Sequence, residues 1–174
     1  MGQHPTTRTV GPGANQSNLP GLQTGPAPWP PDYSDLRARL VALRLPPIGA
    51  ESFHVHAHLS FFIGSQTDPI PADIGISAAD GLGSPMHTHD NSGIIHIEAA
   101  HASDAFTLGA FFVVWGVKFT PAQLGSYPVR VFINGQPAAN PTTHVLHNHD
   151  NIVIGYGPPG SFPTAVPFAW PSGL

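Results

Sequence analysis

A run of alternating apolar and polar residues, FHVHAHLSFFIG (53–64), constrains the fold more than any other part of the chain. Successive side chains of a β-strand point to opposite faces of a sheet, so this alternation predicts a strand with two different faces. One face is apolar and comprises Phe53, Val55, Ala57, Leu59, Phe61 and Ile63. The opposite face carries His54, His56, His58 and Ser60. We therefore expect a sheet in which three imidazoles share one face.

Other stretches complete the predicted fold. The remaining predicted strands are GIIHIEA (93–99), VRVFING (129–135) with its Asn-Gly turn, NIVIGYG (151–157), and IPADIGI (70–76) as the hairpin partner of the first strand. In TLGAFFVVW (107–115), apolar residues recur at helical spacing between a capping Thr107 and a terminating Gly116. The elements predict a mainly β, α+β fold. Its core is a small antiparallel sheet or sandwich with one packed internal helix, preceded by a short N-terminal helix.

Composition divides the chain into four parts. Residues 1–33 are rich in proline and glycine and lack periodicity, which predicts a flexible arm. Residues 34–51 hold the short helix, SDLRARLVAL, and a linker, and residues 52–157 form a His-rich, metal-binding β domain. Residues 158–174 form a Pro-rich tail, whose aromatic residues predict that it drapes over the domain or a partner. The arm and the tail are the segments through which we expect copies of the chain to form a homo-oligomer.

Composition also excludes several classes of function. Lys and Arg together number 6, too few to cover a phosphate backbone, so nucleic acid is not an expected partner. The chain has no Cys, which excludes disulfides, thiolate metal sites and a Cys nucleophile. No apolar stretch approaches the roughly 20 residues that span a bilayer, so no transmembrane segment is expected.

The histidines carry the functional prediction. There are 11, and most fall in four clusters: His54-x-His56-x-His58, PMHTHD (85–90), His96-x-Glu98 and HVLHNHD (144–150). Neighbouring imidazoles repel one another when protonated and need polar partners when buried, so such clusters are poor structural devices. Convergence on a metal ion is the better interpretation. The candidate ligands are His54, His56, His58, His87, His89, His96, His147 and His149.

One set of these residues matches a known kind of site. His-x-His on one strand and a single His on a neighbour, here His56, His58 and His96, is the arrangement of three-histidine zinc sites with an open fourth position. The candidate catalytic or orienting carboxylates are Glu98, Asp90 and Asp150. For the two aspartates, ordinary turn and capping chemistry is an equal alternative. His101 and His144 are not expected to be ligands.

Imidazole ligands suit copper, zinc, iron and nickel. The affinity order at an unselective nitrogen site favours Cu(II), so copper is the first choice, zinc the second and iron the third. The absence of Cys, with Met86 as the single methionine beside a candidate ligand, disfavours a blue-copper site or a Cu(I) carrier.

The same segments resemble a family of largely uncharacterised bacterial and archaeal proteins, with a His-x-His-x-His-Leu strand and a Leu-His-Thr-His-Asp, Ser-Gly, Ile-His-Val-Glu block. The matching segments are HVHAHLSFFIG, SPMHTHDNSGIIHIE, FTLGAFFVVWGVKF, VFINGQPA and NHDNIVIGYG, which cover about residues 53–157 in order. Met86 stands where the family has Leu. The resemblance implies a shared core of His56, His58, His87, His89, His96, Glu98, His149 and Asp150. It implies no activity.

Three functions stay open from the sequence. The first is a mononuclear metalloenzyme, with redox chemistry on copper or water activation on zinc. The second is a metal-binding or storage protein of the cell envelope. The third is a structural or assembly subunit whose fold is stabilised by a metal ion. The resemblance implies an extracytoplasmic setting, whereas the start, MGQHPTTRTV, lacks the apolar core of a secretory signal and favours the cytoplasm.

Overall fold

The computed structural model describes residues 8–10, 16–45, 48, 53–101 and 104–174. Two short 3-10 helices lie at Gln16–Asn18 and Pro141–Thr143. The α-helices and strands are α1 (Leu36–Leu43), α2 (Leu108–Trp115), β1 (Arg8–Val10), β2 (Phe53–Ile63), β3 (Gln66–Asp68), β4 (Ile76–Ser77), β5 (Leu82–Gly83), β6 (Met86–His87), β7 (Ile94–Ala99), β8 (Asp104–Phe106), β9 (Phe119–Thr120), β10 (Gln123–Leu124), β11 (Tyr127–Pro128), β12 (Arg130–Ile133), β13 (Gln136–Pro137) and β14 (Asp150–Tyr156). The predicted mainly β, α+β fold is confirmed.

A seven-stranded sheet forms the centre of the fold, with strand order β13-β12-β14-β2-β7-β6 and β3 paired to β2. The long strand β2 has β14 on one edge, while β7 and β3 share its other edge. Most pairs are antiparallel, as expected, but β14 runs parallel to β2. Three smaller sheets, β1-β8, β4-β5 and β9-β10-β11, complete the described strands.

The hairpin partner of β2 differs from the prediction. Gln66–Asp68 takes this place instead of residues 70–76, because a tight turn at Gly64, with φ of 58°, returns the chain at once. Pro69 and Pro71 then follow, and proline has no N–H to donate to a ladder. The predicted strands over residues 93–99, 129–135 and 151–157 appear as β7, β12 and β14.

Helix α2 matches the prediction at both ends. The Thr107 hydroxyl accepts a hydrogen bond from the Ala110 N–H at 3.2 Å, and Gly116 ends the helix in a left-handed conformation with φ of 87°. All eight residues of α2 are buried, as its uniformly apolar sequence requires. The short helix predicted within SDLRARLVAL also forms, as α1 over Leu36–Leu43, and begins after Asp35.

The two faces of the main sheet have different environments. The inner face of β2, with Ala57, Leu59 and Phe61, joins the large apolar core that includes α2. On the outer face, Phe62 packs with Val153 and Phe162 in a second cluster. The C-terminal tail therefore covers one end of the outer face, and His54 and His56 of β2 lie towards the other end.

Part of the Pro/Gly-rich N-terminal segment is built into the core. Trp29 is only 3% exposed, and its carbonyl accepts a hydrogen bond from Trp115 Nε1 at 2.9 Å. The carboxylate of Asp32 pairs with the fully buried guanidinium of Arg39 in α1. This stretch thus contributes apolar burial and an ion pair to the domain. In the parts of the chain that the structure describes, neither helix has the length and apolar character needed to cross a bilayer.

Candidate metal centre

Three neighbouring strands bring the central histidines together on the outer face of the sheet. The register pairs His56 of β2 with His96 of β7, and His96 in turn with His87 of β6. It also pairs His54 with Glu98. Directly paired residues in adjacent strands point to the same side. The imidazoles of His56, His96 and His87 therefore form a row across three strands.

Two overlapping groups of potential ligands result from this packing. The first, which we call the β6–β7 group, consists of His87, His89, His96 and Glu98, whose ligand atoms all lie within 4.8 Å of one another. His87 Nε2 is 3.2 Å from His89 Nε2 and 3.5 Å from Glu98 Oε1.

The second, the β2–β7 group, consists of His54, His56 and His96, with ligand atoms within the same 4.8 Å limit. His54 Nε2 is 3.3 Å from His96 Nδ1, and the ring centroids of His56 and His96 are 4.7 Å apart. His96 belongs to both groups because its strand lies between the other two.

A backbone carbonyl fixes the orientation of His87. Its Nδ1 donates a hydrogen bond to the Ser84 carbonyl at 2.9 Å, which places the lone pair on Nε2, the atom nearest His89 and Glu98. A ligating histidine typically donates its other ring N–H in this way. The side chain of His87 is almost fully buried, at 1% exposure, so its orientation is set by the fold.

His96 is neutral at physiological pH. Burial, followed by the surrounding imidazoles of His89, His56, His87 and His54, lowers its pKa to about 3. A neutral imidazole has a lone pair to offer to a metal ion. The environment of His96 therefore removes the proton that would compete with a metal.

The separations between ligand atoms suit a common ion. Two nitrogens bound to one tetrahedral ion at about 2.0–2.1 Å lie about 3.3 Å from each other. The nitrogen pairs His87–His89 and His54–His96 are 3.2 and 3.3 Å apart. The histidine clusters are therefore compatible with metal binding.

Solvent reaches the groups from one side. His89 and His54 are exposed, whereas His56, His87 and His96 are each at most 9% exposed. A metal ion bound here would have rigid ligands below it and solvent-facing ligands above it. Such a position admits an additional water or substrate ligand.

Two predicted ligands, His58 and His149, lie outside these groups and contact aromatic residues of the C-terminal tail. The ring of His58 stacks on Phe168 with centroids 3.7 Å apart, and its Nε2 donates to the Ser92 carbonyl at 3.1 Å. Burial lowers the pKa of His58. His149 stacks on Trp170 at 4.4 Å. The structure therefore does not bring together the expected set of His56, His58 and His96. His96 lies instead with His54 and His56, or with His87, His89 and Glu98.

A third group, His144, His147 and Asp150, lies just before β14. Asp150 accepts hydrogen bonds from His144 Nε2 at 2.7 Å, from the His147 backbone N–H at 2.9 Å and from Asn134 Nδ2 at 2.9 Å. Burial alone would raise the pKa of Asp150, but these hydrogen bonds outweigh it and lower the pKa. His144 was not an expected ligand, and here its Nε2 serves as a donor to the carboxylate. These hydrogen bonds are typical of an aspartate that stabilises the turn before a strand, here β14.

The other candidate carboxylates differ in position. Glu98 lies inside the β6–β7 group, where its oxygen is a potential ligand. Asp90 is exposed and accepts the Ser92 backbone N–H at 2.8 Å, a turn interaction. Hydrogen bonding from Ser92 lowers the pKa of Asp90. His101 is exposed and outside all three groups. Sequence reasoning missed the orienting role of Ser84, which acts through its backbone carbonyl and so leaves no side-chain signal.

Comparison of the chain with protein-family models, with curated proteins and with solved structures finds no match.

Proposed function

We propose that this protein is a metalloenzyme that binds a transition-metal ion at the β6–β7 group, with copper as the preferred metal, zinc the second choice and iron the third. The observation that carries the proposal is the convergence of three imidazoles and one carboxylate within 4.8 Å. Fixation of His87 by the Ser84 carbonyl supports it.

The chemistry of the ligand set supports this choice of metals. Imidazole nitrogens suit copper, zinc and iron, and copper binds most tightly among them at an unselective site. Met86 is fully buried in the apolar core and pairs with Ile97, on the opposite face from His87. A thioether is therefore absent from the described ligand set, which argues against a blue-copper centre.

Access from solvent supports a catalytic role. The exposed ring of His89 lies at the edge of the group, and Glu98 is placed to act either as a ligand or as the nearest carboxylate base. Copper would supply redox or oxygen chemistry at this position, and zinc would activate water for hydration or hydrolysis.

A non-catalytic metal-binding or storage protein is the second candidate. It is favoured by the presence of three potential ligand groups, more than one catalytic ion needs. A storage protein would bind several ions per chain and release them readily, whereas an enzyme would retain its ion through dialysis.

Metal content on tag-free protein tests the proposal, since an affinity tag would itself bind metal. We expect metal retained after dialysis, measured by plasma mass spectrometry, and a type-2, nitrogen-ligated electron paramagnetic resonance spectrum if the metal is copper. A silent zinc ion would direct assays to hydration and hydrolysis. Protein that contains no metal and takes up none on titration would refute the proposal.

Acidification should release the metal. Ligation requires neutral imidazoles, and an unperturbed histidine titrates near pH 6.5. We expect the metal to be retained at pH 7.5 and released as the pH falls through about 5, because protons then compete with the metal for the imidazole nitrogens. Dialysis at a series of pH values followed by metal analysis measures this release. Full retention at pH 4 would contradict a site dominated by histidine.

The metal-free protein provides a control with its own pH dependence. An unfolded histidine binds a proton below about pH 6.5, whereas folded His96 stays neutral down to about pH 3. The unfolded state therefore binds more protons in this window, and the free energy of unfolding must decrease as the pH falls through it. Thermal unfolding of the metal-free protein at each pH separates this effect from metal release.

A further inference from the structure

The outer face of three strands carries six potential ligands in three pairs. β2 contributes His54 and His56, β7 contributes His96 and Glu98, and the β6 region contributes His87 and His89. The pair from β7 lies between the other two pairs. The β7 pair therefore has one pair of histidines on each side, from β2 on one side and from the β6 region on the other.

The histidines of the two sides belong to different ligand groups. Among the described residues, no potential ligand group unites a histidine of β2 with one from the β6 region. Each side instead forms its own group with His96. An ion bound within one group therefore takes its histidine ligands from β7 and one neighbouring strand.

Glu98 lies midway between the two sides. Its Oε1 is 3.5 Å from His54 Nε2 and 3.5 Å from His87 Nε2. A carboxylate at such a position can bind two cations at once, and its negative charge reduces the repulsion between them. On the β2 side, His96 Nδ1 lies beside His54 Nε2 at 3.3 Å.

We infer that this face binds two metal ions side by side. The first ion lies at the β6–β7 group, as in the proposed function on which this inference rests. The second ion lies at His54, His56 and His96, the first is held by His87, His89 and Glu98, and the Glu98 carboxylate is shared between the two ions. Two-metal sites hold their ions about 3.5–4 Å apart, and adjacent strands are about 4.8 Å apart. One ion on each side of β7 fits this spacing.

The third group, His144, His147 and Asp150, is a weaker candidate for the second ion than the histidines of β2. Asp150 Oδ2 already accepts hydrogen bonds from His144 Nε2 and from the His147 N–H, and Oδ1 accepts one from Asn134. A metal ion there would have to displace the His144 N–H from the carboxylate.

Copper titration of the tag-free chain, with ions per chain counted by native mass spectrometry, tests this inference. We expect two ions on the wild type, one on His54→Ala and two on His147→Ala. The His54 side chain is 35% exposed, so its removal leaves the fold intact. Loss of a direct ligand should weaken the second binding event by about a hundredfold or more, since even partners that only orient a ligand contribute 10–100-fold. Spin counting on the Cu(II) form adds an independent readout, because coupling between close ions lowers the signal per copper in the wild type and not in His54→Ala.

The outcomes separate this inference from the proposed function. One ion on both the wild type and His54→Ala would overturn the two-ion centre and leave the single site standing. No ion on any variant would overturn both. Two ions on His54→Ala, or one on His147→Ala, would place the second ion elsewhere and refute the assignment to β2.

Discussion

Replacing His96 with alanine should abolish high-affinity metal binding. His96 belongs to both ligand groups, and its strand lies between the strands that carry the other histidines. Its neutral ring supplies a lone pair without competition from a proton, because its pKa is lowered to about 3. Without this imidazole each group loses a ligand at once. We expect the affinity for copper to fall by at least about a hundredfold, as measured by competition with a chelator of known affinity.

Two matched histidines serve as controls for His96→Ala. His101 is exposed and His58 is 4% exposed, and both lie outside the ligand groups. His101→Ala tests the loss of a surface imidazole, and His58→Ala tests the loss of a buried one. Both should retain full metal binding. Equal loss of binding in His58→Ala and His96→Ala would show that the ligand assignment is wrong. Circular dichroism of each variant without metal separates loss of the site from loss of the fold.

The sequence identifies the strands of the site because their side chains alternate with a period of two. The spacing alone puts His54 and His56 on one face of β2, and His96 and Glu98 on one face of β7. It does not say which strands are neighbours. His87 and His89 join the site only because Met86–His87 pairs with β7, a contact between segments that are separated along the chain. A two-residue strand leaves too weak a pattern to predict that pairing.

The local sequence pattern also could not predict whether His58 lies in a ligand group. It continues the alternation of His54 and His56, which favours it as a ligand, yet Phe168 from the C-terminal tail stacks on its ring. Asn151 Nδ2 holds the same tail by donating to the Val166 carbonyl at 2.6 Å. Such long-range packing depends on the whole fold and overrides a prediction made from strand periodicity.

The composition of the N-terminal segment also did not indicate that part of it packs against the domain. The abundance of proline and glycine predicted an arm, but Trp29 in this segment is buried in the apolar core. Trp29 contacts Trp115 edge-on, with ring centroids 6.1 Å apart. Asp32 then pairs with Arg39. Contacts of Trp29 and Asp32 thus hold residues 20–32 to the domain, although the composition of this part of the chain indicates disorder.

Removal of the buried cation that holds this segment should have the largest effect on stability. Arg39 is 0% exposed and donates hydrogen bonds to the Pro20 carbonyl at 3.3 Å and to the Val114 carbonyl at 3.5 Å, besides its ion pair with Asp32. Arg39→Ala leaves the carboxylate and these carbonyls without their donor. Breaking a buried pair by removing one partner costs about 3–5 kcal/mol. We expect a loss of about 3 kcal/mol, because the carboxylate of Asp32 keeps 20% exposure and can be partly hydrated.

Arg37 provides the matched control, since it is an arginine on the same helix but is exposed to solvent. Arg37→Ala should change the free energy of unfolding by no more than about 0.5 kcal/mol. For a chain of this size, the loss expected for Arg39→Ala corresponds to a decrease in Tm of about 6–12 °C. Calorimetry of the metal-free variants measures both values. Similar small shifts for the two variants would mean that the N-terminal segment is not held to the domain through Arg39. A large shift confined to Arg39→Ala would establish residues 20–32 as part of the folded unit.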